Sequence, residues 1–215
     1  MNLQFTLEKL PIMLQSSVMT IELTVVSLVA GTILAIIIAF MRISKQKVIN
    51  AIARFYLWIF RGTPLILQLF FLYYALPSWG ITLSPFAAAV IGLSFNSAAY
   101  TAEIVRGGII SISKGQYEAA NVLGMSYIQT MFHIVLPQTL RNILPAMGNQ
   151  FIGMLKDTSL VSTIAMVELM REAQLIGSAT FKYTEVYITA ALIYLLLTSI
   201  FSYIFNKLEA KLSIY

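Results

Sequence analysis

The sequence predicts an all-α integral membrane protein of five transmembrane helices, N-terminus outside and C-terminus in the cytoplasm. Three observations carry that expectation. Of 215 residues, 59% are hydrophobic and only 11% are charged, whereas soluble domains carry about a quarter charged residues. The charges are also segregated. Leu23 to Met41 and Gly62 to Ala102 contain none, and each stretch matches or exceeds the roughly 20 helical residues that a hydrocarbon core demands. The third observation is the placing of Lys and Arg: ten of the 14 fall in what would be cytoplasmic segments, the bias that positive residues impose during insertion.

Residues 2–15 mix Phe5, Leu7, Leu10, Ile12 and Leu14 with Glu8 and Lys9, which reads as a short interfacial helix. Span one follows at 18–41. The uncharged stretch after Arg61 is too long for one helix, and Leu76-Pro77-Ser78-Trp79-Gly80 with Ser84-Pro85 punctuates it. Spans two and three are therefore placed at 55–76 and 85–105. Span four covers 142–167 and span five 186–206. Arg42, Lys45, Lys47, Arg54 and Arg61 flank the first connection, Arg106, Lys114 and Arg141 the third, and Lys207 and Lys211 the C-terminus. Lys9, Arg171 and Lys182 stay outside. The formal charge of +5 is thus topological, and no nucleic-acid partner is expected. One transmembrane domain over residues 1–215, with no separate soluble domain, accounts for the chain.

Several chemistries are excluded or unsupported. With no cysteine there is no disulfide framework and no thiolate metal site. His133 is the only histidine, so no paired spacing for a metal exists. No GxxxxGK[ST] loop occurs; Gly107 to Gly115 lacks the Lys-Ser or Lys-Thr after its last glycine. ATP hydrolysis by this chain alone is not expected.

The long connection between spans three and four is the informative loop. Residues 116–124 read as a short helix ended by Gly124, with Tyr117, Ala120, Leu123 and Gly124 near one face. Ala119 and Ala120 keep that surface low enough for another protein to approach closely. Ser126 to Ile134 forms a second amphipathic piece, and Leu136-Pro137 starts the helix that re-enters the membrane. An ordinary interfacial helix is the competing reading.

Ionisable groups at membrane depth need partners or water, since each costs about 2.5 to 3.5 kcal/mol even on the gentlest scales. Asn96, Tyr100 and Glu103 recur at spacings of four and three residues and share a helix face, with Ser97 beside them. Asp157, Thr158 and Ser159 interrupt span four, where an irregular backbone can line a cavity. Two readings stay open: Glu103 and Asp157 face a common chamber, or they form structural pairs with Arg106 and Lys156. Gly31, Ala35 and Ala39 on span one, and Ala88 and Gly92 on span three, form small-residue ridges suited to close packing. Arg61-Gly62-Thr63-Pro64 permits a break at the inner end of span two.

Glu118-Ala119-Ala120, Gly124 and Ile134-Val135-Leu136-Pro137 reproduce the pattern EAA-x3-G-x9-I-x-LP. The chain thereby resembles the permease subunits of bacterial ATP-binding cassette importers. Arg61 to Pro64, Ala99 to Gly108 and Lys156 to Leu160 resemble the polar amino acid branch of that family. The resemblance implies that Glu118, Ala119, Ala120 and Gly124 belong to a cytoplasmic coupling helix docking on a partner ATPase, which binds ATP and Mg. It further implies a second permease subunit, expected to be an identical chain, an extracellular solute-binding protein and a bacterial cell membrane. Arg171, Glu172 and the 166–177 helix are a candidate meeting point for the solute-binding protein. Asn96, Ser97, Tyr100, Glu103, Asp157, Thr158 and Ser159 become the candidate substrate residues. Two carboxylates favour a basic amino acid; glutamine, glutamate and cystine are the alternatives. An ion-coupled secondary transporter would usually show inverted internal repeats, and none is found.

Overall fold

The computed structural model describes residues 3–212, and no strand occurs among them. Leu3–Ile43 form one uninterrupted helix, α1. The separate interfacial helix expected at 2–15 is therefore absorbed into it, and Asn2 lies outside the described residues. Nothing between Gln15 and Val18 forces a break: Ser17 donates its hydroxyl to the Leu14 carbonyl at 2.6 Å, which a helix accommodates. Its 41 residues reach about 60 Å at 1.5 Å per residue, roughly twice a hydrocarbon core.

Span two departs from the straight helix expected at 55–76. α2 (Lys47–Gly62) stops before Pro64, α3 (Leu65–Phe70) starts after it, and α2 makes a bend of 101° with the Leu65–Trp79 stretch that α3 opens. Proline explains the break. Pro64 has no N–H for the Phe60 carbonyl and disfavours the helical region for its predecessor, so Thr63 is extended at φ −121°, ψ 146°. α3 runs on through a π turn (Phe71–Ala75) and a 3-10 turn (Leu76–Trp79), which Gly80 closes at φ +80°.

α4 (Pro85–Ile110) begins where Ser84 accepts the Ala87 N–H at 3.2 Å and proline occupies the first turn. After α5 (Lys114–Val122) and the short α6 (Tyr127–Thr130), a π turn (Met131–Val135) leads into α7 (Leu136–Asp157). α7 starts earlier than the expected 142 and gives way at Thr158–Ile164 to a 3-10 segment. α8 (Leu169–Thr180) and α9 (Tyr183–Leu212) complete the described chain. α1, α4 and α9 are each long and apolar enough to cross a membrane, and α2 with its continuation to Trp79 qualifies as one bent span. α7 is not in that group; it carries Arg141, Lys156 and Asp157.

α1 packs most extensively on α4. Ala35, Ala39, Ala98, Ala99 and Ala102 are fully buried in a cluster shared with α2 and α7. At Gly31 the helices come so close that a Cβ would stand 2.9 Å from the Ser94 carbonyl oxygen. Small residues thus buy the close approach that membrane helices use in place of a hydrophobic driving force. Gly92 instead receives Leu69 of α3, and Gly108 receives Ile143 of α7. A further core joins the N-terminal part of α1 (Phe5, Met13) to α8 and α9 through Leu169, Ala173 and Val186. Leu192, Leu195, Leu196 and Ile200 of α9 stay exposed, as suits a lipid-facing or subunit-facing surface.

Candidate functional site

The break in span two opens two adjoining clefts that share Arg61, Gly62 and Tyr100. One, of ≈ 530 Å³, is walled by residues 61–65 of the break and, opposite, by Asn96 of α4 and Gln150, Gly153 and Asp157 of α7. The other, of ≈ 480 Å³, is lined by Arg42, Arg54, Leu57, Trp58 and Glu103 besides the shared three.

Glu103 is ion-paired. Arg106 donates from Nη2 at 2.8 Å and Nε at 3.0 Å, and Arg42 donates from Nε at 3.2 Å. Arg42 also donates to Asn50 Oδ1 at 3.1 Å, and Arg54 reaches the same oxygen at 2.7 Å. Asn50 Nδ2 in turn donates to the Arg42 carbonyl. The network ties the end of α1 to α2 and α4. Asp157 stands differently. It is exposed at the end of α7, and among the described residues it has no salt bridge, Lys156 included.

Of the seven candidate substrate residues, Asn96, Tyr100 and Asp157 line the first cleft, and Glu103 and Tyr100 the second. Glu103 and Asp157 therefore lie in neighbouring clefts instead of one chamber. Tyr100 carries the Arg61 guanidinium over its ring, 5.4 Å from the centroid. Ser97 is buried and meets Gln150 Nε2 at 3.4 Å. Thr158 is buried too, donating to the Leu155 carbonyl at 2.7 Å. Ser159 lies in the 3-10 segment and lines neither cleft. Sequence reasoning overlooked Gln150, although Gln150, Gly153 and Asp157 repeat at spacings of three and four and so share a helix face. No cluster of three potential metal ligands exists among the described residues.

On α5, Glu118 and Ala119 are exposed while Ala120 faces inward and is fully buried. Of the two alanines, Ala119 alone is left to keep the outer surface low. Gly124 takes φ +72°, the left-handed region that glycine enters without steric cost. The Gly124 N–H donates to the Asn121 carbonyl and the Met125 N–H to that of Ala120, both at 3.0 Å, a Schellman closure. Ser126 then opens α6 with a reciprocal capping box to Gln129. Val122, Leu123, Tyr127 and Ile128 remain exposed around this turn. Burial pushes the Tyr117 phenol up from its ordinary pKa, and Tyr127 adds to the shift.

The family described as binding-protein-dependent transport system inner membrane component matches residues 31–214. The chain belongs to that family. It is a permease of the polar amino acid ABC importer class. Over 215 residues the permease is 43% identical to the arginine transport system permease protein ArtQ of Bacillus subtilis (strain 168), covering 99% of this chain and 98% of that protein. It is 42% identical over 197 residues to the L-cystine transport system permease protein TcyB of the same organism, covering 91% and 84%. Among solved structures, an amino acid ABC transporter crystallised with histidines contains a chain of TM-score 0.92 and 38% identity, covering 98% of the permease and 99% of that chain. The permease is thus a multi-pass membrane protein for amino acid transport.

Proposed function

We propose that this permease carries a basic amino acid into a bacterial cytoplasm through the cleft between the broken span and α7. Its five spans would be α1, the bent α2 and α3 pair, α4, the α7 region and α9, with the N-terminus outside. Two copies would form the route, two ATPase subunits would dock at Glu118, Ala119 and Gly124, and a solute-binding protein would deliver substrate from outside, near Arg171 and Glu172. Closure of the ATPases on ATP would draw the docked α5 helices together and rock the membrane halves.

The observation that carries this reading is Asp157, an unpaired carboxylate in an open cleft. A cationic group would supply the partner the protein withholds, as a charge-assisted hydrogen bond. The likeness to ArtQ and to the transporter crystallised with histidines supports a basic substrate. Glu103, already held by Arg42 and Arg106, has less to offer a second cation. A broader reading has its own observation. Arg61 and Asp157 line the same cleft without bridging, so they suit the carboxylate and ammonium common to all amino acids. The likeness to TcyB favours that breadth. Calorimetric binding of arginine, glutamine, glutamate and cystine to the assembled complex decides. Arginine is expected to bind tightest; glutamate binding equally well would sink the basic-substrate reading. A Glu118→Lys permease is expected to fold yet lose stimulated ATP hydrolysis, and full transport by it would overturn the docking role.

A further inference from the structure

The carbonyls of Phe60 and Thr63 are among those that the break at Pro64 strands. Phe60 loses the N–H that residue 64 would supply in a continuous helix, because proline has none. Thr63 loses the N–H of Leu67, which turns to the Pro64 carbonyl at 3.0 Å, as does the Gln68 N–H at 3.2 Å. Within a membrane protein such carbonyls need partners from neighbouring side chains. One side chain serves both. Gln68 Nε2 donates to the Phe60 carbonyl at 3.1 Å, to the Thr63 carbonyl at 3.1 Å and to Thr63 Oγ1 at 2.9 Å. Asn96 on α4 orients that amide, donating from Nδ2 to Gln68 Oε1 at 3.1 Å and to the same Phe60 carbonyl at 3.2 Å. Gln68 reaches back across the bend from α3 to the last turn of α2, and Asn96 pins the bend to α4.

We propose that Gln68, seated by Asn96, is a positioning residue that sets the bend of the broken span and thereby the place of Arg61 in the substrate cleft. Gln68 does not line that cleft; residues 61–65, which it holds, form one whole wall of it. The proposal rests on the reading of this cleft as the substrate site. It also reassigns the Asn96 amide: its N–H groups are committed to the clamp, so its part in substrate binding is to hold the wall.

The chain has no cysteine, so spin labels can be placed at Ile52→Cys and Leu67→Cys, both exposed positions on either side of the bend. Labelled chain is diluted into unlabelled chain and assembled with the ATPase subunits. Gln68→Leu removes every bond of the amide. Gln68→Glu keeps the acceptor for Asn96, removes the donors and sets a carboxylate against the stranded carbonyls. Both are expected to shift and broaden the distance between the labels. Both are also expected to raise the half-saturating arginine concentration for transport about tenfold, the equivalent of about 1.4 kcal/mol, with basal ATP hydrolysis and the saturated rate little changed. An unchanged distance in Gln68→Glu overturns the clamp. A shifted distance with unchanged half-saturation upholds the clamp and overturns the placing of substrate in this cleft.

Discussion

Two carboxylates stand beside the broken span in opposite settings. Glu103 is enclosed by two guanidinium groups and bound into a network that reaches Asn50 and Arg54. Asp157, in the next cleft, is exposed and has no basic partner within salt-bridge distance among the described residues. The difference separates a charge that holds helices together from one that is left for something else to meet. Removing one member of a paired set strands the others, whereas neutralising an unpaired group costs the fold little. The same element type, a carboxylate near a helix end, thus has two expected roles, distinguished by its neighbours alone.

The largest effect should appear at Asp157. Asp157→Asn is expected to weaken arginine binding by about 1.5 to 3 kcal/mol, the worth of a charge-assisted contact, while thermal stability stays near that of the parent. Calorimetry and a melting curve on the same preparation check both halves, and an unchanged affinity would collapse the distinction between the two carboxylates. Glu103→Gln should do the reverse. It leaves Arg42 and Arg106 facing each other without a counter-charge, a loss of about 1 to 2 kcal/mol once the partial exposure of the site is allowed for. The readout is a lower melting temperature in detergent with a smaller change in arginine affinity. Asn50→Ala should produce the smallest change, about 0.5 to 1 kcal/mol for a hydrogen-bond hub that is partly solvated. It sharpens the comparison: if the network is structural, Asn50→Ala and Glu103→Gln should be non-additive in stability and neither should move substrate selectivity.

How far these features were legible in the sequence depends on how local their causes are. The closure at Gly124 was legible, because a glycine after a helical run announces a left-handed cap whose hydrogen bonds lie within six residues. The start of α4 was legible from Ser84-Pro85 for the same reason. The continuity of α1 is not legible, because Glu8, Lys9 and Pro11 near its start read as an interfacial segment, yet the helix runs through Pro11 into the span. Arg61-Gly62-Thr63-Pro64 announced that a break was possible and left its angle open. Asn96, Tyr100 and Asp157, which helical spacing and polarity at depth single out in the sequence, line one cleft at the bend. Ser97 and Thr158 carry the same signals, yet they point into helix contacts.

The sequence by itself determined the membrane class, the helical content, the turn chemistry and the transporter family, since each follows from composition or from residues close along the chain. Tertiary structure alone decided which carboxylate is free. Glu103 meets Arg42 across 61 residues, and Gln68 meets Asn96 across 28; neither pairing leaves a local trace, because the helix positions on either side look alike until the packing of α1 and α3 on α4 brings them together. Asp157 lines a cleft with residues 61–65 of the bend at Pro64 and has no salt bridge among the described residues, a setting that depends on how α7 packs beside the broken span.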